Sequence, residues 1–310
     1  MNRRNLLGGL STMAGLLPLA CLPKTTTSTK RSVRIAHLTD VHIQPLIGAA
    51  KGFEKCLHHL QNLDVKPDLI INGGDAIMEA LGREKDNVKK QWRLWNEVLH
   101  SENTLPIQHC LGNHDIWGPE KHKADLYYGK NWAMDELQMA RTYKSVDLGG
   151  WHIILLDSLQ TRPDGSWYTA FIDEAQWDWL EKDLRHTPTH VPVMVVSHVP
   201  ILAACVFFDG NRFEQERWNV PGSWMHSDAS KLTNLFYKHK NVKLCLSGHI
   251  HLLDKVEYNG VTYCCNGAVS GAWWFGNYRQ TPPGYTLIDL YEDGSFTNTY
   301  VNYKKETISE

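Results

Sequence analysis

The sequence predicts an α/β fold, and three observations carry that prediction. Apolar runs of strand length alternate with stretches of helical spacing. Short polar motifs come directly after the strand-like runs, where α/β sheets place their sites. Turn signals at Gly149-Gly150, Asn259-Gly260 and Asp293-Gly294 join pairs of strand-like runs. In chain order, 33–38 is a strand leading to Asp40, and a helical stretch over 52–63 leads to a strand over 68–72 that ends at Asp75. An amphipathic helix over 86–100 precedes a strand over 106–111, which runs into Asn113. The runs 143–148 and 152–157 form a hairpin. Residues 173–185 set Trp177, Leu180 and Leu184 on one side of a helix. A strand over 191–196 delivers His198, a helix spans 227–239, and a strand over 242–246 delivers His249. Two hairpins, 252–258 with 261–264 and 285–291 with 295–303, close the chain.

The polar motifs are Asp40-Val41-His42, Gly74-Asp75, Gly112-Asn113-His114-Asp115, Ser197-His198 and Gly248-His249-Ile250-His251. Together they supply Asp40, His42, Asp75, Asn113, His198, His249 and His251, enough oxygen and nitrogen donors for two adjacent metal ions, with no thiolate among them. A phosphate ester repels hydroxide. Two cations ~3.5–4 Å apart neutralise its charge, activate a water and orient the displacement. Imidazole and carboxylate suit Fe, Mn or Zn. Asp75 stands alone after its strand and is the natural bridge, each of its oxygens taking one metal. His114 is free to act as an acid or transition-state donor, with Asp115 orienting it. Gly-Asp or Asp-x-His alone is an ordinary strand-to-helix turn; the information lies in five motifs in one order.

That order resembles the calcineurin-like metallophosphoesterase superfamily, and within it the class III cyclic-nucleotide phosphodiesterase branch, over residues 33 to about 267. The resemblance implies a four-layered α/β/β/α sandwich with two mixed β-sheets. It also implies that Asp40, His42 and His251 hold one metal and Asn113, His198 and His249 the other, with Asp75 shared. Many relatives read Gly-Asp-x-x-[Asp/Asn], whereas Asp75 here is followed by Ala76, Ile77 and Met78, which puts a polar group near the substrate in doubt. No Tyr follows Asp75, unlike in purple acid phosphatases.

The chain has 310 residues, 42% hydrophobic and 21% charged, which fits one large layered domain over 33–305. A net charge of −2 gives no support for long nucleic acid as a partner. The expected partner is a small phosphate ester. Residues 1–21 resemble a twin-arginine export signal, with Arg3-Arg4 ahead of an apolar run too short and broken for a membrane span. Cys21 after Leu19-Ala20 is a candidate lipid-anchored cysteine, and 22–32 form a polar tether. The expected location is therefore the periplasm, free or anchored to a membrane, reached through the twin-arginine machinery. No Cys-x-x-Cys occurs, so a structural zinc site is not expected. One disulfide after export is compatible with the remaining cysteines.

Two aromatic-rich segments, 205–226 and 273–279, are candidates for substrate contact, together with Trp117. Trp117, Trp273 and Trp274 offer stacking faces, and Arg212 and Arg279 offer phosphate-binding forks. The competing reading is that many of these aromatics, in a chain with twelve Trp, only pack loops against the sheet. Adjacent Trp273 and Trp274 would point opposite ways in an extended loop, leaving one at most for a ligand. Three functional classes are compatible with these residues. The first is a phosphodiesterase. The second is a phosphomonoesterase or pyrophosphatase acting on a sugar-nucleotide or lipid-linked substrate. The third, a non-catalytic binding protein on the same fold, is disfavoured because no ligand is missing. An exported address argues against a cyclic nucleotide, a cytosolic messenger.

Overall fold

The computed structural model describes residues 29–46 and 48–304. The export signal, Cys21 and most of the tether lie outside the described residues. The last two tether residues belong instead to the sheet, because the first strand, β1 (Arg31–Leu38), begins at Arg31.

After β1 come α1 (Ala49–Gln61), β2 (Leu69–Asn72), α2 (Lys85–Glu102), β3 (Ile107–His109), α3 (Asn131–Glu136), β4 (Lys144–Leu148) and β5 (Trp151–Leu155). Next are β6 (Leu159–Thr161), β7 (Trp167–Ala170), α4 (Glu174–His186), β8 (Val193–Val196), β9 (Phe213–Glu214), β10 (Arg217–Trp218) and α5 (Ala229–Lys238). The chain ends with β11 (Val242–Ser247), β12 (Asp254–Tyr258), β13 (Val261–Cys265), β14 (Tyr285–Tyr291) and β15 (Phe296–Val301).

One sheet has the order β15-β14-β1-β2-β3 and the other β12-β13-β11-β8-β5-β4. Both are mixed. β1, β2 and β3 run parallel, as do β5, β8, β11 and β13, while β14, β15, β12 and β4 pair antiparallel at the flanks. Three apolar layers hold the stack. Ile35, Ile71, Ile288, Leu155, Val196 and Leu246 fill the space between the sheets. Phe53, Trp92 and Trp95 of α1 and α2 cover the first sheet, with the Phe53 and Trp95 rings stacked at 5.2 Å. Leu180, Leu184, Leu232 and Phe236 of α4 and α5 cover the second. This is the four-layered sandwich expected. Because the central strands are parallel and buried on both faces, their C-terminal ends emerge on one rim, and the motif loops gather there.

The opposite end carries a charged strut. His152 pairs through Nδ1 with Asp147 at 2.7 Å and through Nε2 with Asp183 at 2.8 Å. The Asp183 hydrogen bond, added to that of Asp147, holds the imidazole above its ordinary range against the effect of burial. A raised folded-state pKa stabilises below the unfolded value of about 6.5, and the stabilisation is lost as pH rises through the folded value. Asp147 is largely exposed, so its share is screened. Replacing His152 by Gln should cost roughly 1–2 kcal/mol at about pH 6. The difference in melting temperature should shrink toward about pH 9. Thermal melts across that range check this, and a pH-independent difference contradicts it.

Candidate metal centre

Five of the seven donors are aimed by a strained backbone. Asp40, His42, Asp75, His249 and His251 all sit at positive φ, between 49° and 71°. Such conformations are costly for residues with a Cβ and persist where surrounding structure enforces them, as at functional sites. Here the enforcement is visible. The Asp40–Ile43 loop runs beside the Gly74–Ala76 loop, with Asp40 N–H donating to Gly74 O, His42 N–H to Asp75 O and Ile43 N–H to Ala76 O, each at 3.0 Å. The glycines are equally fixed: a Cβ on Gly112 would lie 2.0 Å from Asp75 Oδ1, and one on Gly248 would lie 2.3 Å from Asp40 Oδ2.

All seven donors named from the sequence converge. In the first set, His42 Nε2 and His251 Nε2 are 3.1 Å apart, and Asp40 Oδ1 lies 3.2 Å from His251 and 3.8 Å from His42. In the second, His198 Nε2 is 3.3 Å from Asp75 Oδ2 and 3.2 Å from Asn113 Oδ1, and His249 joins Asp75 and His198. Donors bound about 2.0–2.2 Å from one ion stand roughly 3.0–3.5 Å apart, so both sets fit metals. His249 Nδ1 is buried without a hydrogen-bond partner, as a ligand nitrogen would be. The other ring nitrogens of His198 and His251 donate to Gly73 O (2.9 Å) and Gly271 O (2.7 Å), the outer contacts that orient metal-binding imidazoles.

Asp75 differs from the expectation of one oxygen per metal. Its Oδ1 accepts the His114 N–H at 2.8 Å. Its Oδ2 alone faces both sets, 3.3 Å from His198 Nε2 and 3.7 Å from His42 Nε2. Sharing would therefore run through a single oxygen. Asp40 divides its oxygens in a similar way: Oδ2 accepts from Thr39 Oγ1 and His249 N–H, and Oδ1 faces His251.

Charge in the cluster is set by burial and by these pairs. Burial, followed by the His114 ring, keeps His42 well below its ordinary range, and burial with His198 takes His249 down to about 3. Both are thus neutral and ligand-ready. Burial alone would raise the two carboxylates, yet His251 holds Asp40 low and His198 holds Asp75 low. Burial would lower His198, but Asp75 and Asp40 lift it to about 9. Metal binding at this nitrogen must displace that proton, so affinity rises with pH.

Two residues of the Asn-His-Asp motif lie outside these two donor sets, although His114 stands close enough to His42 and Asp75 to form a group with them. His114 donates from Nδ1 to Met78 O at 2.6 Å, and its Nε2 lies 4.0 Å from Asp75 Oδ2, directed at the cluster mouth. The orienting contact is thus Met78 O. Asp115 points elsewhere. Its fully buried carboxylate accepts backbone N–H groups of Asp75 (3.0 Å), Ala76 (2.9 Å), Ile77 (3.3 Å) and Gly112 (2.8 Å), tying two ligand loops together. Replacing Asp115 by Ala would orphan these donors. Unsatisfied buried groups cost roughly 1–3 kcal/mol each, and partial hydration would reduce the sum to about 3 kcal/mol. Melting temperature should fall by roughly 6–12 °C and metal content with it; an unchanged melting curve contradicts this.

The proposed substrate residues divide. Trp117 is fully buried, with Nε1 donating to Arg83 O, and is core. Trp274 is likewise buried; its Nε1 donates to His42 O and so supports a ligand loop. Both corrections have one cause, since an indole with no exposed face cannot stack on a ligand. Trp273 does face the centre, its ring 4.8 Å from His251 and 6.0 Å from His42. Arg279 is bound to Asp209, and Arg212 lies over the Trp224 ring; neither forms an ion pair with the cluster among the described residues.

Three further groups at the site are not evident from the motifs. Glu79, one position beyond the expected polar site, brings Oε2 to 3.6 Å from His114 Nδ1. Tyr168 on β7 sets its ring edge-on to His249 at 6.2 Å. Its hairpin is legible in Arg162-Pro163-Asp164-Gly165, a turn sequence closed by Gly165 N–H to Arg162 O at 2.8 Å. Ser197, His226 and Asp228 form a hydrogen-bonded row, Ser197 Oγ to His226 Nε2 at 3.0 Å and His226 Nδ1 to Asp228 at 2.9 Å. Ser197 is buried and also donates to Val199 O, so the row braces the loop of His198.

Similarity to known proteins agrees with this geometry. A family model described as calcineurin-like phosphoesterase matches residues 33–253. The chain is 24% identical over 284 residues to a 3',5'-cyclic-nucleotide phosphodiesterase of Nostoc sp., covering 86% of this chain and 91% of that protein. It is 22% identical over 234 residues to a protein of Arcobacter nitrofigilis named "Probable glycerophosphodiester phosphodiesterase GpdQ", covering 73% and 75%. Its fold matches the crystal structure of a dimetal phosphatase from Danio rerio with a TM-score of 0.64 at 13% identity, over 88% of this chain and 97% of that one.

Proposed function

Because this chain belongs to the calcineurin-like phosphoesterase family and is a metal-dependent phosphoester hydrolase, we propose that its substrate is a small phosphodiester. The observation that carries this is the charge of the site. Every ion pair of Asp40 and Asp75 among the described residues is made with His, none with Arg or Lys, and Glu79 adds a further carboxylate beside His114. A monoester is largely dianionic at neutral pH, its second ionisation lying near 6, and among the described residues no Arg or Lys pairs with the carboxylates of the site to offset the extra charge. A diester carries one charge and two organic substituents, which Trp273 and Tyr168 can wall. The relatives named as diesterases support the same class.

In this reading Asp40, His42 and His251 hold one ion, Asn113, His198 and His249 the second, and Asp75 both. The ions, drawn from Fe, Mn and Zn, would supply charge neutralisation and water activation. The chain's own part is to hold the donors in place, to orient His114 through Met78 O, and to deliver a proton or hydrogen bond from His114 Nε2 to the departing oxygen. Paired aryl esters test the substrate class. With metal-loaded protein, kcat/KM for bis(p-nitrophenyl) phosphate should exceed that for p-nitrophenyl phosphate by about tenfold or more, a difference of ~1.4 kcal/mol; equal or reversed values would make it a monoesterase.

We also propose export of the folded enzyme. Arg3-Arg4, the apolar run and the Ala20-Cys21 junction support it. Mass spectrometry of the native N-terminus distinguishes a lipid-modified Cys21 from a cleaved free end, and an intact Met1 would refute export.

A further inference from the structure

We propose that Cys205 and Cys265 are a cross-linking site, at which exchange with an oxidised dithiol carrier joins the 205–226 excursion to the metal-bearing rim. The placement rests on three contacts. Asp254 stands directly opposite Cys265 in the β12–β13 ladder, so their side chains share one face of the sheet. The Asp254 carboxylate accepts the backbone N–H of Cys205 at 2.9 Å, and that of Ala204 as well, which seats the short turn beginning at Cys205 over that face. Cys205 and Cys265 then pack in one apolar cluster with Ala203, Val206, Ile250 and Leu252.

Strand alternation selects the partner. Cys264 points the other way, into the layer between the sheets, so Cys265 alone of the adjacent pair meets Cys205. The location gives the link a consequence. Cys265 Sγ also donates to Gly248 O at 3.2 Å, next to His249. The loop that starts at Cys205 carries Asp209, whose carboxylate holds Tyr278 and Arg279 beside Trp273. A bond between the two sulfurs would therefore fasten the outer wall of the site to a ligand loop.

The chemistry balances as thiol–disulfide exchange. Cys205, 6% exposed against 1% for Cys265, is the more accessible residue of the two and would form the mixed disulfide with the carrier. Cys265 then displaces the carrier's sulfur. One S–S bond forms, the carrier's S–S bond breaks, and its two sulfurs leave as thiols with the two electrons and two protons of the pair.

The test uses the full metal-loaded chain and oxidised glutathione as the probe, then alkylation in denaturant and peptide mapping without reduction. The expected product is lighter by two hydrogens, shows one linked peptide pair containing Cys205 and Cys265, and melts about 4–10 °C higher than the reduced protein. Cys205→Ala and Cys265→Ala should each abolish both the link and the shift. Complete alkylation of every cysteine, a stable glutathione adduct on Cys205 alone, or a link through Cys264 would each overturn the proposal. The map of the unsubstituted protein decides this even if a variant fails to fold.

Discussion

Replacing Asp75 by Asn is expected to leave a folded protein that binds metal poorly and turns over almost no substrate. The substitution is isosteric, but the site asks opposite things of the two atoms. Oδ1 accepts the His114 N–H, and Oδ2 faces both donor sets. The amide has one acceptor. If its oxygen stays with His114, an NH2 group that cannot ligate points at His198 and His42; if it flips, the NH2 opposes the His114 N–H. Loss of even an outer partner of a ligand costs about 10–100-fold in metal affinity, and loss of a shared donor should exceed that. Metal analysis beside turnover checks it. A variant with two ions and parental activity would remove Asp75 from the shared position.

Replacing His114 by Ala should have the second-largest effect on rate and little effect on metal content. The ring is aimed at the cluster mouth by Met78 O and completes neither donor set. The rate should fall by ~10²–10⁴, the usual contribution of a positioned acid or base. The loss should be smaller for esters whose leaving groups need little protonation. His42, Asp75 and His114 are also close enough to form a donor group of their own. Loss of metal in His114→Ala would make the ring a ligand and reverse this division of roles.

The α/β class and the seven donors are legible in the sequence for the same reason, whereas the four-layered arrangement follows only from the family resemblance. Parallel strands buried on both faces read as continuous apolar runs, and the residues after each run must emerge at one rim. Asp40, Asp75, Asn113, His198 and His249 can thus be placed near one another from order alone. The features that the motifs do not disclose depend on contacts distant in sequence. The left-handed backbone at Asp40 and His42 comes from hydrogen bonds to the Gly74–Ala76 loop, more than thirty residues away. Adjacency pairs Asp115 with His114, whereas its carboxylate turns back to three amides of the Asp75 loop. Trp117 and Trp274 resemble ligand faces in the sequence because burial is a property of packing. Glu79 escapes a rigid reading of the motif spacing, although one further residue brings a carboxylate to His114.

In the proposed function, two metal ions held by these donors make this chain a phosphodiesterase. Stripping the full-length protein with a chelator and titrating Mn, Fe or Zn back, while measuring bound metal and hydrolysis of bis(p-nitrophenyl) phosphate together, tests it most directly. No hydrolysis is expected without metal, and activity should rise to a plateau at two ions per chain. Hydrolysis by metal-free protein, or a plateau at one ion, would contradict it.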